Sequence, residues 1–471
     1  MAADQYTFDH MMRQVVEAAD VSRAQMMARA IKAYNDHAQR PLKIDPQTRI
    51  DDNVCINYAR TIVEKGVSFL FGEQLKIEIA ARTNKAPSAD AQSADDETFE
   101  DALEDLWPAL ERGEDLIDFA TNGGQTGHVW AQVVVEGGVP RVVVLDPLNM
   151  TAEYDERDLR RVLSFTNQWN SFDAHGRACV RKQVTRRNGE TWTITEYISL
   201  SNATTWTQAG PVVEWRYKFA PIIHTKNLPH ACVFYGAADL TLNVLQLNFY
   251  INRVDSLINK ILRIHAHPKT VAYGLQEQDL RIGVDGVLFV DEYEAELKNL
   301  EMQSDLGAAQ TFRDKLRAAL AEVSHVPEVT TGKIENLGTL SGRAIQMLYG
   351  PLIDQTKKKR ITYGRFVTEI IVALLTITGK VIKARDVSLH WGSMLPADEK
   401  EAAETAVLKR QVGFSDDTLV QELGGDPDKE REKKATQTDT LGETLGKAFD
   451  AGAGAGGWYG SGASSGAGAT A

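Results

Sequence analysis

The sequence predicts an α+β fold in which helical segments flank a block of short strands. Apolar residues recur at helical spacing up to Phe71 and again after Gly236. Between Gly124 and about Tyr217 the period changes to two, and glycine-containing turns separate the apolar runs. Because the two patterns occupy separate blocks, we expect one mixed or antiparallel sheet with helices packed beside it.

The N-terminal part is expected to be mainly helical. Apolar spacing predicts helices over residues 8–38 and Asn53–Phe71, with Gly72 as the C-cap of the second. The alternating run LKIEIA then predicts a strand. A third helix is expected over Phe99–Ala120, with an internal proline and glycine that break or kink it.

The strand block contains two hairpin signals. In the first, HVWAQVVV and PRVVVLD flank Gly137-Gly138. In the second, KQVTRRNGETWTITEYISL carries Asn188-Gly189, a dipeptide typical of tight turns between antiparallel strands. Both hairpins are expected to contribute to the sheet.

Two further helices are predicted to bracket a small insert. Leu240–Ala266 places its apolar residues in one long stripe, and Pro268 stops the helix. Residues 269–305 contain the strand-like runs VAYG and GVLFV and an acidic stretch. A second helix over Ala308–Val323 then returns, so this part is expected to form a stalk with a knob at its tip.

A loop over Ser324–Leu340 precedes the longest helical run, Ser341–Thr378. At about 1.5 Å per residue a straight helix of this length would span roughly 55 Å. Gly350 and Pro351 lie inside it, and proline removes a backbone hydrogen bond and clashes with the preceding turn. The helix is therefore expected to kink at this pair and to end at Gly379.

The composition is that of a folded protein with an acidic balance. The chain has 471 residues, of which 43% are hydrophobic and 25% are charged, and its formal net charge is −13. A protein that grips nucleic acid generally presents a basic face. An acidic chain is compatible with DNA mainly where the DNA must slide past without sticking.

Cysteine usage and hydropathy exclude two classes of protein. The three cysteines show no spacing of a disulfide framework or a zinc site, which indicates a reducing cytoplasm. The strongest membrane candidate, Phe366–Thr378, is much shorter than the about 20 residues of a span and contains Glu369. We expect a buried helix there.

Motifs for catalysis fail on their context. Gly332-Lys333 has Pro327 where a phosphate-binding loop needs glycine and Ile334 where it needs serine or threonine. The only Gly-x-Ser-x-Gly match, residues 462–466, lies in a glycine- and alanine-rich tail without the strand before it that a nucleophile elbow requires. The sequence therefore predicts no enzyme, no cofactor and no metal site.

A basic run, Lys357-Lys358-Lys359-Arg360, lies inside the long helix. Four consecutive helical positions cover the whole circumference of a turn, so they cannot all point the same way. One interpretation is a solvated section of helix. The other is a ring of charge that faces DNA or an acidic neighbouring subunit, if many copies surround an axis.

Several short patterns occur in an order that resembles one family. They are the early helix–strand unit SFLFGEQLKIEI, the strand pair HVWAQVVVEGGVPRVVVLDPLNMTAEYD, FYGAADL before the first long helix, VPEVTTGKIENLGTLSGRAIQMLYGPL, and PADEKEAAETAVLKRQVGFSDDTLVQELG. Over roughly residues 40–435 the chain resembles the portal proteins of tailed bacteriophages, in the siphophage-type branch. It departs from the pattern at Ala238, where serine is usual, and at Ile251-Asn252, which replaces a Tyr-Asn pair.

The resemblance implies the phage portal fold, with a wing, a helical stem, a small β-containing clip, a tunnel loop with a long kinked helix, and a helical crown. The implied boundaries are 1–235 for the first part of the wing, 236–267 for the stem helix, 268–305 for the clip, 306–323 for the second stem helix, 324–340 for the tunnel loop, 341–390 for the rest of the wing, 391–436 for the crown and 437–471 for a disordered tail.

The resemblance also implies a function. A homo-oligomeric ring of about twelve subunits would stand at the portal vertex of a virion after assembly in the host cytoplasm. Double-stranded DNA would pass through it during packaging and ejection. Its partners would be the large terminase subunit, a head–tail connector or adaptor protein, and the major capsid and scaffolding proteins. No membrane is involved.

The implied functional residues fall in three places. The tunnel loop, with Thr331, Lys333, Glu335 and Asn336, would meet DNA, and the acidic stretch of the clip, with Glu292, Glu294 and Glu296, would dock partners. In a ring of many copies the basic run is the third candidate, as a charged ring, beside the interpretation as a solvated section of helix. Two alternatives stay open: another structural head-completion protein of the virion without a DNA channel, and an enzyme acting on DNA ends.

Overall fold

The computed structural model describes residues 20–35, 40–44, 46, 49–73, 75–79, 113–200, 205–266, 270–273, 296–299, 306–328, 346–380, 382–394, 407–415, 418–420, 430–431 and 433–434. The chain divides into two compact units, Met1–Met394 and Leu395–Ala471. Residues 329–340 of the predicted tunnel loop, with its four named residues, lie outside the described residues, as do the clip residues Glu292 and Glu294 and the predicted tail.

The first unit combines helices and strands, so the α+β prediction is confirmed. Its helices are α1 (20–34), α2 (Tyr58–Phe71), α3 (Glu114–Thr126), α4 (Leu242–Ala266), α5 (Gly307–Ser324) and α6 (Gly350–Ile377). Its strands are β1 (Lys76–Ile79), β2 (His128–Glu136), β3 (Val139–Leu145), β4 (Met150–Tyr154), β5 (Val162–Phe172), β6 (Ala178–Asn188), β7 (Thr191–Ser199), β8 (Thr207–Gln208), β9 (Val213–Trp215), β10 (Ile222–Lys226), β11 (Thr270–Tyr273), β12 (Glu296–Asn299) and β13 (Val387–His390).

The described strands form four antiparallel sheets instead of the single sheet that was expected. A three-stranded sheet has the order β10-β2-β3, and a six-stranded sheet has the order β4-β5-β6-β7-β8 with β9 also paired to β7. β1 pairs with β13, and β11 pairs with β12 inside the predicted clip. The division into separate sheets could not be predicted, because alternating apolar and polar residues indicate a strand but not the strand with which it pairs.

Both predicted hairpins are confirmed. Gly137 and Gly138 have φ angles of +61° and +89° in the turn between β2 and β3, a backbone conformation that glycine adopts without strain. In the β6–β7 hairpin Asn188 pairs with Thr191. The two loop residues are therefore Gly189 and Glu190, one position later than Asn188-Gly189.

The helices begin and end close to the predicted limits, with three differences. α2 begins at Tyr58, and residues 52–57 before it are not helical. α3 begins after Gly113, which has a φ of +96°, and continues to Thr126. The long helix α6 begins at Gly350, after the turn residue Tyr349 that follows helical residues 346–348, and Pro351 lies in its first turn.

The end of α6 follows the expected C-cap geometry. Gly379 has a φ of +87°, and its N–H donates to the Thr376 carbonyl at 3.2 Å. The N–H of Lys380 donates to the Leu375 carbonyl at 2.9 Å. These two bonds satisfy carbonyls that have no partner inside the helix.

Three apolar clusters hold the first unit together. One packs α2, α3 and α6 onto one face of the three-stranded sheet, with Phe119 and Phe366 edge to face at 5.0 Å. A second joins α1, α2, α4, α5 and the first turn of α6 around Leu240, Ile251 and Leu352. The third fills the space between the three-stranded and six-stranded sheets around Trp130 and Phe165.

The C-terminal half of α6 lies in the first of these clusters. Phe366, Val367, Ile370, Leu374 and Leu375 are each no more than 1% exposed. This is the buried helix expected at Phe366–Thr378. None of the described helices combines the length and apolarity that crossing a membrane requires.

In the second unit the described residues include a helical segment, 407–412, and a turn after it. Gly413 has a φ of +104°, and the Ser415 hydroxyl oxygen accepts a hydrogen bond from the Thr418 N–H at 3.3 Å. The two hydroxyls lie 2.7 Å apart. Ser415 thus caps the segment that begins at Thr418, and Leu419 is buried.

Candidate functional site

The four residues of the basic run occupy four different environments on α6. Lys357 is exposed and pairs with Asp354 at 3.1 Å, and Lys358 is also exposed. Lys359 is only 3% exposed. Arg360 is half-buried; its guanidinium donates to the Gly392 carbonyl at 2.8 Å and lies 5.2 Å from the Trp391 ring. Within one subunit, therefore, only the first two residues present their charge to solvent.

Lys359 forms a buried ion pair with Asp239. Its Nζ lies 2.5 Å from the Asp239 Oδ2, and both side chains are 4% exposed. The other carboxylate oxygen accepts hydrogen bonds from Asn227 at 3.1 Å and from Gln355 at 3.4 Å. The pair therefore joins α6 to the segment that leads into α4.

A hydrogen-bond network extends from this pair into β10. The Tyr363 hydroxyl donates to the Asn227 side-chain oxygen at 3.1 Å, and burial raises the pKa of Tyr363 well above its ordinary value. The Thr362 hydroxyl donates to the Asn227 carbonyl, and the Thr225 hydroxyl donates to the Thr362 carbonyl. Both hydrogen bonds join α6 to β10 and the residue that follows it. Because each polar group finds a partner, the network can be buried at a small net cost.

Three glycines let α2 and α3 approach this network closely. A Cβ at Gly66 would lie 3.2 Å from the Lys359 Nζ, and a Cβ at Gly124 would lie 2.9 Å from a Val63 methyl and 3.0 Å from the Asp239 carboxylate. A Cβ at Gly123 would lie 2.0 Å from the Tyr363 hydroxyl oxygen. The absence of a side chain at these positions is therefore a condition of the packing.

A second polar feature lies on α4. Five of its side chains bind residues 52–58, which are the segment before α2 and the first residue of that helix; they are Asn248, Asn252, Ser256, Asn259 and Arg263. We call this arrangement the polar ladder. Asn252 is bidentate, since it accepts from the Ile56 N–H at 3.1 Å and donates to the Ile56 carbonyl at 3.2 Å.

The polar ladder combines two regular spacings, one of the side chains along α4 and one of the residues that they bind. Its side chains are spaced by three or four residues, which places them on one face of the helix. They reach alternate residues of the segment, namely 58, 56, 54 and 52. Four helical residues rise about 6 Å, and two extended residues advance about 6.6 Å. The two spacings therefore match from Asn248 to Asn259, and Arg263 reaches the same residue as Asn259, Asp52.

The ladder ends in an ion pair. Arg263 donates to both carboxylate oxygens of Asp52, at 2.6 and 2.8 Å. These hydrogen bonds hold the pKa of Asp52 below its ordinary value. A bidentate pair of this kind also fixes the direction of both side chains.

A third cluster surrounds two buried histidines. Arg23 of α1 lies 3.9 Å over the Tyr235 ring and places Nη1 3.3 Å from the His128 Nε2. Because arginine can only donate, this contact requires a neutral His128 that carries its proton on Nδ1. The His224 ring lies 4.2 Å from Trp130 and 4.5 Å from Phe234.

Both histidines are held neutral by their surroundings. Burial, together with the charge of Arg23, lowers the pKa of His128 to about 3. Burial also lowers the pKa of His224 well below its ordinary value, with further contributions from His128 and nearby cations. A protonated imidazole at either position would place a positive charge in the core, away from water.

We therefore expect the protein to lose stability in mild acid. The unfolded chain takes up protons on His128 from about pH 6.5 downward, whereas the folded chain does so only near pH 3. Stability is thus complete above about pH 6.5 and falls by up to about 1.4 kcal/mol per pH unit between these limits. His128→Phe should flatten the dependence of the melting temperature on pH, while the exposed His175→Gln should leave it unchanged; equal slopes in all three proteins would contradict this account.

The clusters share one chemical character: polar and charged groups fix helices to strands and to each other. Among the described residues, no group of three or more His, Cys, Asp or Glu side chains is placed to hold a metal ion. In each cluster the side chains bind other parts of the same chain and thereby stabilise the first unit.

Comparison with known proteins gives the family. The family model described as "Phage portal protein, SPP1 Gp6-like" matches residues 16–232 and 235–441. The chain belongs to this family of phage portal proteins, as the order of its short patterns predicted. No curated protein matches the chain.

Solved structures that match the chain include two from gene transfer agent (GTA) particles. The neck of an empty GTA particle, computed with C6 symmetry, has 14% sequence identity and a TM-score of 0.46, with 78% of this chain and 90% of that chain covered. The neck of a native GTA particle, computed with C12 symmetry, has 15% identity and a TM-score of 0.40, covering 79% and 91%. The family assignment rests on the family model alone.

Sequence reasoning found some of these positions and missed others. Lys359 was predicted as one of four basic residues, and Asp239 lies in the pattern FYGAADL, but nothing in the sequence pairs the two. The apolar stripe of α4 was predicted, whereas the polar ladder beside it was not. The signal was present, because Asn248, Asn252, Ser256, Asn259 and Arg263 have helical spacing.

Proposed function

We propose that this portal protein forms a closed ring of about twelve copies around a channel for double-stranded DNA. The observation that carries the proposal is the match of the portal family to almost the whole chain. The ring would stand at the portal vertex of the virion, with the major capsid and scaffolding proteins as its neighbours.

Apolar side chains on the two stem helices support a ring. Leu242, Tyr250 and Leu257 are spaced by about two helical turns on α4 and are each 42–50% exposed. Phe312 on α5 is 55% exposed. A single subunit cannot bury this surface, whereas adjacent copies in a closed ring can.

The charge of the chain supports DNA passage without tight binding. A net charge of −13 repels phosphates over most of the surface. Lys333 and Asn336 of the tunnel loop, with Thr331 and Glu335 beside them, would make transient contacts. In the basic run, Lys357 and Lys358 are the residues whose exposure suits a charged ring.

The domain limits stated above carry over as part of the proposal. α4 and α5 would form the stem, β11 and β12 the base of the clip, and α6 the helix that follows the tunnel loop. The clip would dock the terminase during packaging and the head–tail connector afterwards. Glu292, Glu294 and Glu296 would carry this contact.

Native mass spectrometry tests the ring. The purified protein should give one species near twelve or thirteen times the subunit mass of 52.0 kDa. A monomer or dimer at every protein and salt concentration would overturn the proposal. A head-completion protein without a channel would then be the better description.

Deletion of Thr331–Gly338 tests the tunnel loop. The deleted protein should still assemble, because the stem and wing contacts remain, but DNA packaging into proheads or DNA retention should be impaired. Packaging at the normal rate would show that the loop does not meet DNA. The assembled mass serves as the control for folding.

Charge reversal tests the clip. Replacement of Glu292, Glu294 and Glu296 by lysine should weaken binding of the terminase or of the connector in a pull-down, since complementary charge would be lost. The same reversal at Glu153 and Glu190 on the six-stranded sheet is the control. Unchanged binding by the clip variant would place the docking surface elsewhere.

A further inference from the structure

β10 is an edge strand with open hydrogen-bonding groups. It pairs on one side with β2, and Val133 donates to the Pro221 carbonyl while Asn227 donates to that of Gly127. In an antiparallel pair alternate residues point toward the partner, so the backbone groups of Ile222, His224 and Lys226 point away from β2. Within the described part of the chain these three residues have no backbone partner on that side.

The same three residues line a cleft of about 770 Å³. One wall is α6, through Thr362, Arg365, Glu369, Val372 and Ala373. The other wall is aromatic and aliphatic and is supplied mainly by the six-stranded sheet and the loop after β10; it includes Val162, Phe165, Trp192 and Phe234. The open edge of β10 therefore lies in a cleft with an apolar wall.

The cleft is positively charged in a chain that is otherwise acidic. Arg160, Arg187, Lys226 and Arg365 line it, and the one carboxylate, Glu369, is 3.5 Å from Arg365. The Nε2 atom of His224 is buried and has no hydrogen-bond partner. Open backbone groups, apolar walls and cations together suit an extended acidic segment with large apolar side chains at alternate positions.

One segment of this chain has that pattern. Residues 4–9 read Asp-Gln-Tyr-Thr-Phe-Asp, so that Tyr6 and Phe8 would point to the same side of a strand and an aspartate stands at each end. The segment lies outside the described residues. It is joined to α1, whose Arg23 contacts His128, and the His128 ring lies 6.0 Å from the ring of His224.

The connecting chain is long enough. Eleven residue steps separate Asp9 from Asp20, where α1 begins. The reach is roughly 36 Å if these residues are extended at about 3.3 Å each, and roughly 17 Å if they are helical at about 1.5 Å each. The helix predicted from residue 8 would then begin after Asp9. Arg23 contacts His128, and His128 lies beside His224, so α1 and β10 meet at the same histidine cluster.

We propose that residues 4–9 add to the free edge of β10 as a further strand of the three-stranded sheet in the same chain. Tyr6 and Phe8 enter the apolar side of the cleft, and the two aspartates meet the arginines at its rim. The proposal is independent of the DNA channel, since it concerns strand pairing within the first unit.

Residue-resolved hydrogen exchange on the assembled full-length protein tests it. Tyr6→Asp with Phe8→Asp should speed exchange at the amides of Ile222, His224 and Lys226 by about tenfold or more, because their partner strand is lost. The amides of Ile223 and Thr225, which point toward β2, should not change. Gln14→Asp with Ala18→Asp adds the same charge outside the segment and should leave all five amides unaffected.

A peptide completes the test. In a protein lacking residues 2–10, a synthetic peptide of residues 2–11 should restore slow exchange at the three outward amides, and a scrambled peptide should not. Arg160→Glu combined with Arg187→Glu should weaken binding of the peptide to the deleted protein by at least about tenfold. Equal exchange rates in the full-length and deleted proteins would overturn the proposal. So would protection that falls on dilution, which would indicate a segment from another copy. Protection by a peptide of residues 94–107 alone would also overturn it, since that acidic segment would then be the occupant.

Discussion

Lys359→Ala should lower the free energy of unfolding by about 3–5 kcal/mol, because it leaves the Asp239 carboxylate buried without its cation. The pair lies in the interior, with both side chains 4% exposed, so solvent cannot replace the lost charge. The shift of the denaturant midpoint measures the effect. Ring assembly should fail or weaken in parallel, since the pair holds α6 to the entry of α4.

The neighbouring Lys357→Ala is the matched control. Its ion pair with Asp354 is exposed, so the loss should stay within about 0.5 kcal/mol. Lys359→Met combined with Asp239→Asn should cost less than the two single changes together, because the neutral amide can still accept from Asn227 and Gln355. Similar midpoints for Lys357→Ala and Lys359→Ala would refute the importance of the buried pair.

Gly123→Ala should destabilise the protein by about 1–3 kcal/mol, although alanine favours helices. The new Cβ would lie 2.0 Å from the Tyr363 hydroxyl oxygen and 3.0 Å from a Val129 methyl. Tyr363 is 0% exposed and cannot move aside without disturbing the network around Asn227. Thermal unfolding of the variant measures the loss.

The control is Gly364→Ala on α6. There the new Cβ would find its nearest atom, on Trp391, at 3.7 Å, which is an ordinary contact. This variant should be more stable than the parent by up to about 1 kcal/mol. Tyr363→Phe should recover part of the loss in the Gly123→Ala background; no recovery would show that the clash lies elsewhere.

The sequence predicted the local structure well where the signal is local. Both hairpins, the C-cap at Gly379 and the extents of α4 and α5 follow from periodicity and turn residues. The division into separate sheets was missed. Pairings such as β1 with β13 join residues more than three hundred positions apart, and no local pattern encodes them.

The same limit explains the outcome at the functional residues. Lys359 and Asp239 are 120 positions apart, and nothing in the run Lys-Lys-Lys-Arg marks the third residue as the buried one. Residues 53–57 were predicted to be helical because Ile56 and the apolar residues after it have helical spacing. Their backbone instead bonds to α4, an alternative that local propensity does not contain.

The polar ladder imposes unequal constraints on its two sides. Asn252 and Ser256 must keep their side chains, since these supply the hydrogen bonds. Val54 and Ile56 contribute only main-chain groups, and the Ile56 side chain is 41% exposed. Val54 and Ile56 can therefore change in evolution more freely than Asn252 and Ser256, whereas Asp52 is constrained by its ion pair with Arg263.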